Sequence, residues 1–506
     1  MKLIMEPEMV NIDNPKQIPI EQFVLPFSGK MSSNNRWAKI TMIMPWEEIN
    51  KLYSKKLCKD FGRLSIKPRV AIGALIIKQY KQFSDEETIE MIQENPYYQY
   101  FLGYTSYTYE PCFDPSLFVY IRRRLGAKLL GQINEIFVQR VQEIAEAERS
   151  EKDRQPKPRS KDRNKDNPNQ GKLILDATVA PSNIKHPTDL DLLNQSRKIS
   201  EDLIDQLWQA GQYLDKPRTY RQIARKEYLS IAKRRKKSGK IIHKGIGKQL
   251  SYLRRNLSQI EKVPDTELRE ILTSKGYNRL LVIQKLVEQQ QEMYQSGEHR
   301  VTDRIVSIHQ PQIRPIVRGK ARAATEFGAK ISVSVVHGYS FLDHLRWDAY
   351  NESQDLIAQV NKYRRRFGHY PEVVIGDGVY GSRENRQYLK EKGIRFSGKP
   401  LGRPKKEDED NSVLSRKRHY QESCERNQVE GKFGEGKRCY GLGLVMAKTA
   451  ETSESWIAMS ILTLNIAKVM RQYFYALINL IKNWIGKNHL RQMSDIKPVI
   501  ICPVKT

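Results

Sequence analysis

Three acidic residues stand where an acid is expensive or exposed to purpose. Asp176 lies inside the run KLILDATV (Lys172 to Val179), which is rich in strand formers and too short for a helix. An unpaired carboxylate in such a buried strand costs several kcal/mol or is protonated, so something must compensate it. Asp377 closes a second apolar run, VVIGD, between Gly376 and Gly378. The end of a buried strand is where a sheet presents functional groups to a crevice. Glu430 falls in a late helical stretch, with Arg426 and Lys437 spaced to share its face. A carboxylate flanked by cations on its own face suits a polyanionic substrate. Three carboxylates from two strands and one helix would form a hard, oxygen-only site for two Mg²⁺ or Mn²⁺ ions. Such ions lower the pKa of an attacking water or 3′-hydroxyl and steady the leaving oxygen in an in-line displacement at phosphorus. No covalent protein intermediate is needed, and no Ser-His-Asp or Cys-His constellation is visible.

Plainer readings exist for each acid. A lone Asp in a strand is usually salt-bridged or at an edge, Asp377 in GDGVYG is a respectable turn residue, and Glu430 can be half of an i, i+4 pair with Arg426. Gly431, Gly434 and Gly436 weaken the helix, at about 1 kcal/mol each against Ala.

The elements that must position these acids follow from composition and periodicity. The chain has 506 residues, room for about three domains. Its 87 Lys and Arg against 58 Asp and Glu leave +29, which calls for a polyanion. Nucleic acid leads, because neutralised phosphates release counterions. A membrane surface fares worse: the N-terminus MKLIMEPEMV is unlike a signal peptide, and the apolar stretch Trp456 to Ile485 is broken by Lys468, Arg471, Gln472, Asn479 and Lys482. The five cysteines show no CxxC spacing, and His337 and His344 read as ordinary strand or loop residues. These features suggest a reducing cytoplasm.

Residues 18–148 read as helical. Pro68 to Phe83 forms a buried helix, Ser84 and Glu87 make a capping box for a helix over Asp85 to Glu94, and Asn95-Pro96 ends it. This pair could be a helix-turn-helix or an ordinary helical corner. Arg122, Arg123 and Arg124 downstream suit phosphates or a solvated face equally. Residues 149–170 form a basic linker too polar for a core. Residues 190–307 read as a helical insertion with a basic knot, KRRKK, from Lys233 to Lys237. Strands follow at Ile313 to Arg318, Gly328 to Tyr339 and Phe341 to Trp347, then a helix at Ser353 to Phe367. Beyond them come a strand at Glu372 to Ile375, a helix near Arg383 to Lys392 and a strand at Ile394 to Ser397: a mixed α/β sheet. A basic loop, Lys399 to Lys406, and an acidic patch, Glu407 to Asp410, lead to the last helices.

Several blocks, in order, resemble the DDE transposases of bacterial insertion sequences. DEETIEMIQENPYYQYFLG and FDPSLFVYIRRRL resemble the helical DNA-binding domain that precedes the catalytic core. LILDATVAPSNIKHPTDLDLLN resembles the block of the first catalytic Asp, VVIGDGVYGSRENRQYLKEKGI that of the second, and ERNQVEGKFGEGKRCYGLG the third. The resemblance implies catalytic, metal-holding roles for Asp176, Asp377 and Glu430, and DNA contacts by Arg426 and Lys437. Ser423 stands where enzymes of the Tyr-Arg-Glu-Lys type carry Tyr, so no role of that Tyr carries over.

It further implies an α/β, RNase H-like mixed sheet core over 171–189 and 308–475, split by the helical insertion, with a C-terminal tail at 476–506. The implied partners are double-stranded DNA, as element ends and target, and a second copy of the chain in a homodimeric synaptic complex, in a bacterial, nucleoid-associated setting. Arg122, Arg123, Lys233, Arg234 and Arg235 join the expected DNA contacts. Two other classes remain open: a catalytically silent, transposase-derived DNA-binding protein, and a metal-dependent nuclease that cuts without joining.

Overall fold

The computed structural model describes residues 17–57, 65–152, 168–317, 325–398 and 409–487. Most of the expected linker, the loop from Lys399 to Lys406 with the start of the acidic patch, and the end of the expected tail lie outside the described residues. The chain divides into two compact units, one drawn from residues 1–121, 132–158 and 462–506, the other from 122–131 and 159–461.

The first unit is built on helices α1 (Arg36–Ile43), α2 (Trp46–Ser54), α3 (Pro68–Lys81), α4 (Asp85–Glu94) and α5 (Pro96–Phe101), with part of α6 (Leu117–Lys152). The apolar residues of α3 leave it no solvent face, and it is buried from Pro68 to Gln79. Arg69 is tolerated there because its guanidinium donates to the carbonyls of Phe101 (3.0 Å) and Tyr100 (3.1 Å) and lies 4.8 Å from the Trp46 ring. The capping box expected from Ser84 and Glu87 is present: the Glu87 N–H donates to Ser84 Oγ at 3.0 Å, and the Ser84 N–H to Glu87 Oε2 at 2.7 Å. It contributes about 1 kcal/mol to α4. Asn95 ends α4 and caps α5, with Pro96 at the first helical position. In α6, Gly126 at φ 62° interrupts the helical geometry.

The second unit holds a six-stranded sheet: β1 (Lys172–Pro181), β2 (Arg314–Val317), β3 (Thr325–Val336), β4 (Tyr339–Arg346), β5 (Val373–Ile375) and β6 (Arg395–Phe396). β1 is central. It pairs antiparallel with β3 on one edge and parallel with β5 on the other, and β5 continues in parallel to β6. The far edge of β3 carries β2 near its start and β4 near its end, both antiparallel. An antiparallel β4-β3-β1 meander continued by parallel β5 and β6 is the RNase H-like arrangement. The turn from β3 to β4 places His337 (φ 52°) and Gly338 (φ 76°) both at positive φ, which matches the twist of a tight hairpin. At Gly328 a Cβ would stand 2.1 Å from the Ala180 carbonyl oxygen, so only glycine lets β3 approach the end of β1.

Five helices lie between β1 and β2: α7 (Asp189–Gln209), α8 (Arg221–Ala232), α9 (Gly239–Ile260), α10 (Asp265–Ile271) and α11 (Ser274–Ser296). Helices α7, α9, α10 and α11 share a core that includes Leu193, Ile204, Leu207, Leu253, Ile260, Leu268, Ile283 and Leu286. Helices α12 (Leu356–Phe367) and α13 (Arg383–Glu391) connect β4 to β5 and β5 to β6, and α14 (Glu409–Cys439) and α15 (Ala450–Lys487) follow. Within α15, Ile457, Ile461, Leu462, Ile466 and Ala467 are buried core residues. No helix among the described residues is long and apolar enough to cross a membrane.

Candidate active site

Strand pairing brings the first two acids to the same region of the sheet. Ile174 on β1 pairs with Ile375 on the parallel β5. Asp176 stands two residues further along β1, and Asp377 two residues beyond Ile375, past the end of β5. β1 is buried along most of its length because it is flanked by strands on both edges and covered by helices, and Asp176 is only half-buried there. Its Oδ1 accepts the N–H of Ala177 at 2.8 Å. Asp377, past the end of β5, is more exposed. It caps a short 3-10 turn over Gly378–Tyr380, accepting the Gly378 N–H at 2.6 Å.

The third acid is delivered by α14, which packs across β1, β3 and β5. Two ion pairs set its register: Glu425 with Lys172 of β1 at 2.6 Å, and Glu422 with Arg395 of β6. Val429, Phe433 and Gly436 are its buried stripe, stepping at four- and three-residue intervals, and Tyr440 just past its end is buried too. Thus α14 forms despite Gly431, Gly434 and Gly436, because tertiary packing outweighs a propensity loss of about 3 kcal/mol in all.

Arg426 sits between two of the acids. Its guanidinium is 3.5 Å from Asp377 and 3.5 Å from Glu430. Asp176 lies within electrostatic reach of both Arg426 and Glu430, and of a fourth acid, Glu352, which pairs with Lys330 at 2.6 Å. Burial pushes the Asp176 carboxyl up to about 6, with Glu352 and Glu430 adding to the rise and the Ala177 N–H and Arg426 opposing it. The site therefore carries more negative charge than its one arginine balances. Close by, Tyr380 is fully buried and its hydroxyl has no hydrogen-bond partner among the described residues. Burial, reinforced by the charges of Glu352, Asp176 and Asp355, holds its phenol well above the ordinary range.

These features fit a hard cation. The donors are all carboxylate oxygens, the Asp176 carboxylate is under-compensated, and an orphaned hydroxyl stands nearby. As the side chains stand they gather around Arg426 rather than a common point: among the described residues, no three His, Cys, Asp or Glu form a ready metal cage. Beside Asp377 opens a crevice of about 400 Å³, with Gly376, Gly378, Arg386, His419, Ser423 and Arg426 in its lining. It lies at the carboxyl end of the parallel strands, where a doubly connected sheet offers ligand space.

Other residues singled out in the sequence are placed less uniformly. Lys437 is half-buried on α14. Arg122 is 8% exposed and lies 6.0 Å from the Trp456 ring, so its guanidinium serves packing and is not presented to phosphates. Arg123 pairs with Glu451 at 3.1 Å. Lys233, Arg234 and Arg235 are exposed at the end of α8, within the second unit.

Sequence reading missed a polar hub beneath the site. Asp355, fully buried, accepts from the Ser332 hydroxyl and the Tyr350 hydroxyl (2.7 Å) and contacts His344 Nδ1. Burial would raise its carboxyl, but these three partners prevail and hold it below the ordinary range. Ser332 and His344 face each other across β3 and β4, yet each hydrogen-bonds to Asp355, and Ser332 is fully buried, so this is a structural hub and not a nucleophilic triad. It anchors the 3-10 turn Glu352–Asp355. Asn385 then donates to the carbonyls of Ser353 (2.7 Å) and Tyr380 (2.9 Å), tying that turn to the one capped by Asp377.

The fold and its acids define an RNase H-like protein with a carboxylate site at the sheet's carboxyl end. Comparison with known families gives the same class. Residues 374–467 match the family described as Transposase DDE domain, and residues 26–124 match Transposase domain (DUF772). Both matched families are transposase domains, and the chain is similar to DDE transposases over these two segments. A relative, "Uncharacterized protein ORF8 in nfe locus" of Rhizobium meliloti, is 26% identical over 151 residues, covering 30% of this chain and 64% of that protein. No solved structure matches the chain.

Proposed function

We propose that the chain binds the terminal inverted repeats of an insertion sequence and catalyses metal-dependent DNA strand cleavage and strand transfer, with Asp176, Asp377 and Glu430 as its catalytic carboxylates. The observation that supports this most is Arg426 in contact with both Asp377 and Glu430, with Asp176 within reach of the same cluster. When bound by the three carboxylates, two Mg²⁺ or Mn²⁺ ions supply Lewis acidity to the attacking and leaving oxygens of an in-line displacement at phosphorus.

The chain's own groups account for the rest. The parallel β1–β5 pairing brings the segments that carry Asp176 and Asp377 to the same region of the sheet, and α14, packed on both strands, carries Glu430 there. Arg426, which pairs with Asp377 and Glu430, would be available to a phosphate of the scissile strand if cations took over those carboxylates. Lys437 on the same helix, with Lys233, Arg234 and Arg235, contributes further phosphate contacts; Arg122 does not, being buried. The active form is a homodimer that synapses two element ends.

The test uses labelled duplex carrying the DNA that flanks the gene, a supercoiled target plasmid, and Mg²⁺ or a chelator. We expect nicking at the element end and covalent joining to the plasmid, both abolished by chelation. Binding without nicking would instead indicate a silent DNA-binding protein. Nicking without joining, even of a pre-cleaved 3′-hydroxyl end, would indicate a nuclease.

A further inference from the structure

We propose that the outer face of α8 and the turn after it form a rail for the sugar-phosphate backbone of duplex DNA, with Arg225, Lys226, Lys233 and Arg234 each taking a phosphate. The inference rests on the DNA-transacting reading above and adds to it the surface that holds the duplex away from the acids.

The first observation is how little of α8 is used by the fold. Of its residues only Ala224 is fully buried. Its exposed side carries a shallow groove lined by Gln222, Arg225, Lys226, Leu229, Ser230, Lys233 and Arg234. Their steps alternate between three and one, which is a single face of an α-helix.

The second is the sorting of charge around the helix. The only acid on α8, Glu227, is turned inward, where it pairs with Lys248 and accepts the Tyr252 hydroxyl at 3.1 Å. Arg221 pairs with Asp205 at 2.7 Å, and the Tyr228 hydroxyl donates to Asp191. The carboxylates near α8 are thus matched on its inner side. On its outer side, Arg225, Lys226 and Lys233 meet no carboxylate among the described residues, and Arg234 donates only to the Ser230 carbonyl, at 3.2 Å. Cations lined up without counterions on one face repel one another and are relieved by a polyanion.

Spacing favours duplex DNA. Arg225 and Lys233 are separated by about 12 Å along the helix at about 1.5 Å per residue, close to the width of the B-DNA major groove at about 12 Å. The pair Arg225 and Lys226 and the pair Lys233 and Arg234 can therefore meet phosphates on opposite lips of that groove. An anionic membrane is a poorer match, since the row offers one apolar side chain, Leu229, to insert.

The test is fluorescence anisotropy of the full chain on a labelled duplex of arbitrary sequence across a salt series. The row variant R225Q/K226Q/K233Q/R234Q is compared with a control, K198Q/K262Q/K275Q/K285Q, that removes four exposed lysines scattered over α7, α9 to α11 and their connections. The plot of log affinity against log salt should become shallower by about 3 to 4 for the row variant, at about 0.9 per phosphate lost, and by less than about 1 for the control. The charge-conserving R225K/K226R/K233R/R234K should retain the wild-type slope, and an unchanged circular dichroism spectrum and melting midpoint exclude unfolding. A wild-type slope in the row variant, or an equal loss in the control, overturns the rail while leaving the DNA reading standing. Wild-type chain that binds no duplex would remove that reading itself.

Discussion

Asp176→Asn, Asp377→Asn and Glu430→Gln should each lower strand cleavage and joining by about 10³-fold or more, a loss of about 4 kcal/mol of transition-state stabilisation. An amide keeps the size of the carboxyl group and its capacity to accept a hydrogen bond but loses the charge that holds a hard cation. The side chains to be replaced are half-buried or exposed, so the fold should survive all three changes. Duplex binding should stay near wild type or tighten slightly, because each variant removes a negative charge from the site proposed to meet DNA. Gel assays of cleavage, run beside binding isotherms, separate the two effects. Cleavage within a few fold of wild type in any one variant would remove that residue from the catalytic set.

The second large effect concerns stability, and its sign is opposite. Burial raises the Asp176 carboxyl from 3.8 to about 6 in the folded chain, with Glu352 and Glu430 adding to the rise and the Ala177 N–H and Arg426 opposing it. Below pH 3.8 the residue is protonated both folded and unfolded and has no influence on the balance. As pH rises from there toward 6, the unfolded chain releases this proton while the folded chain retains it, so stability falls. Above the folded value the whole penalty is present, on the order of 3 kcal/mol. Asp176→Asn has no charge to desolvate. It should melt several degrees above wild type at neutral pH, and the gap should close by pH 4. Mg²⁺ should narrow the gap from the wild-type side, since a ligand bound only by the folded state stabilises it. A variant that melts lower than wild type at neutral pH would mean that the carboxylate is part of the scaffold and not a strained functional group.

How much of this could be read from the sequence depended on how local the signal was. Asp176 stood out because a lone acid interrupts an apolar strand, and Asp377 because glycines flank it at a strand end; both strands are present where the pattern put them. The capping box of α4 and the strands around His337 were equally local, and the tight β3–β4 hairpin needed only two residues at positive φ. Helix α14 was harder, because its glycines argue against a helix and its stabilising partners, Lys172 and Arg395, are on distant strands. Arg122 was misjudged for the same reason: its neighbours in sequence are arginines, but its neighbour in space is Trp456. The Asp355 hub and the orphaned Tyr380 hydroxyl were invisible in sequence, since the hub joins β3, β4 and the turn before α12, and nothing local marks a tyrosine as unpartnered.

Arg426 now occupies the space between Asp377 and Glu430, so the central claim is that divalent cations can replace it there. Electron paramagnetic resonance of Mn²⁺ added to the chain on its element-end duplex tests this directly. The expected result is two bound ions per chain, with at least one lost in each of D176N, D377N and E430Q. Equal Mn²⁺ occupancy in wild type and all three variants would contradict it.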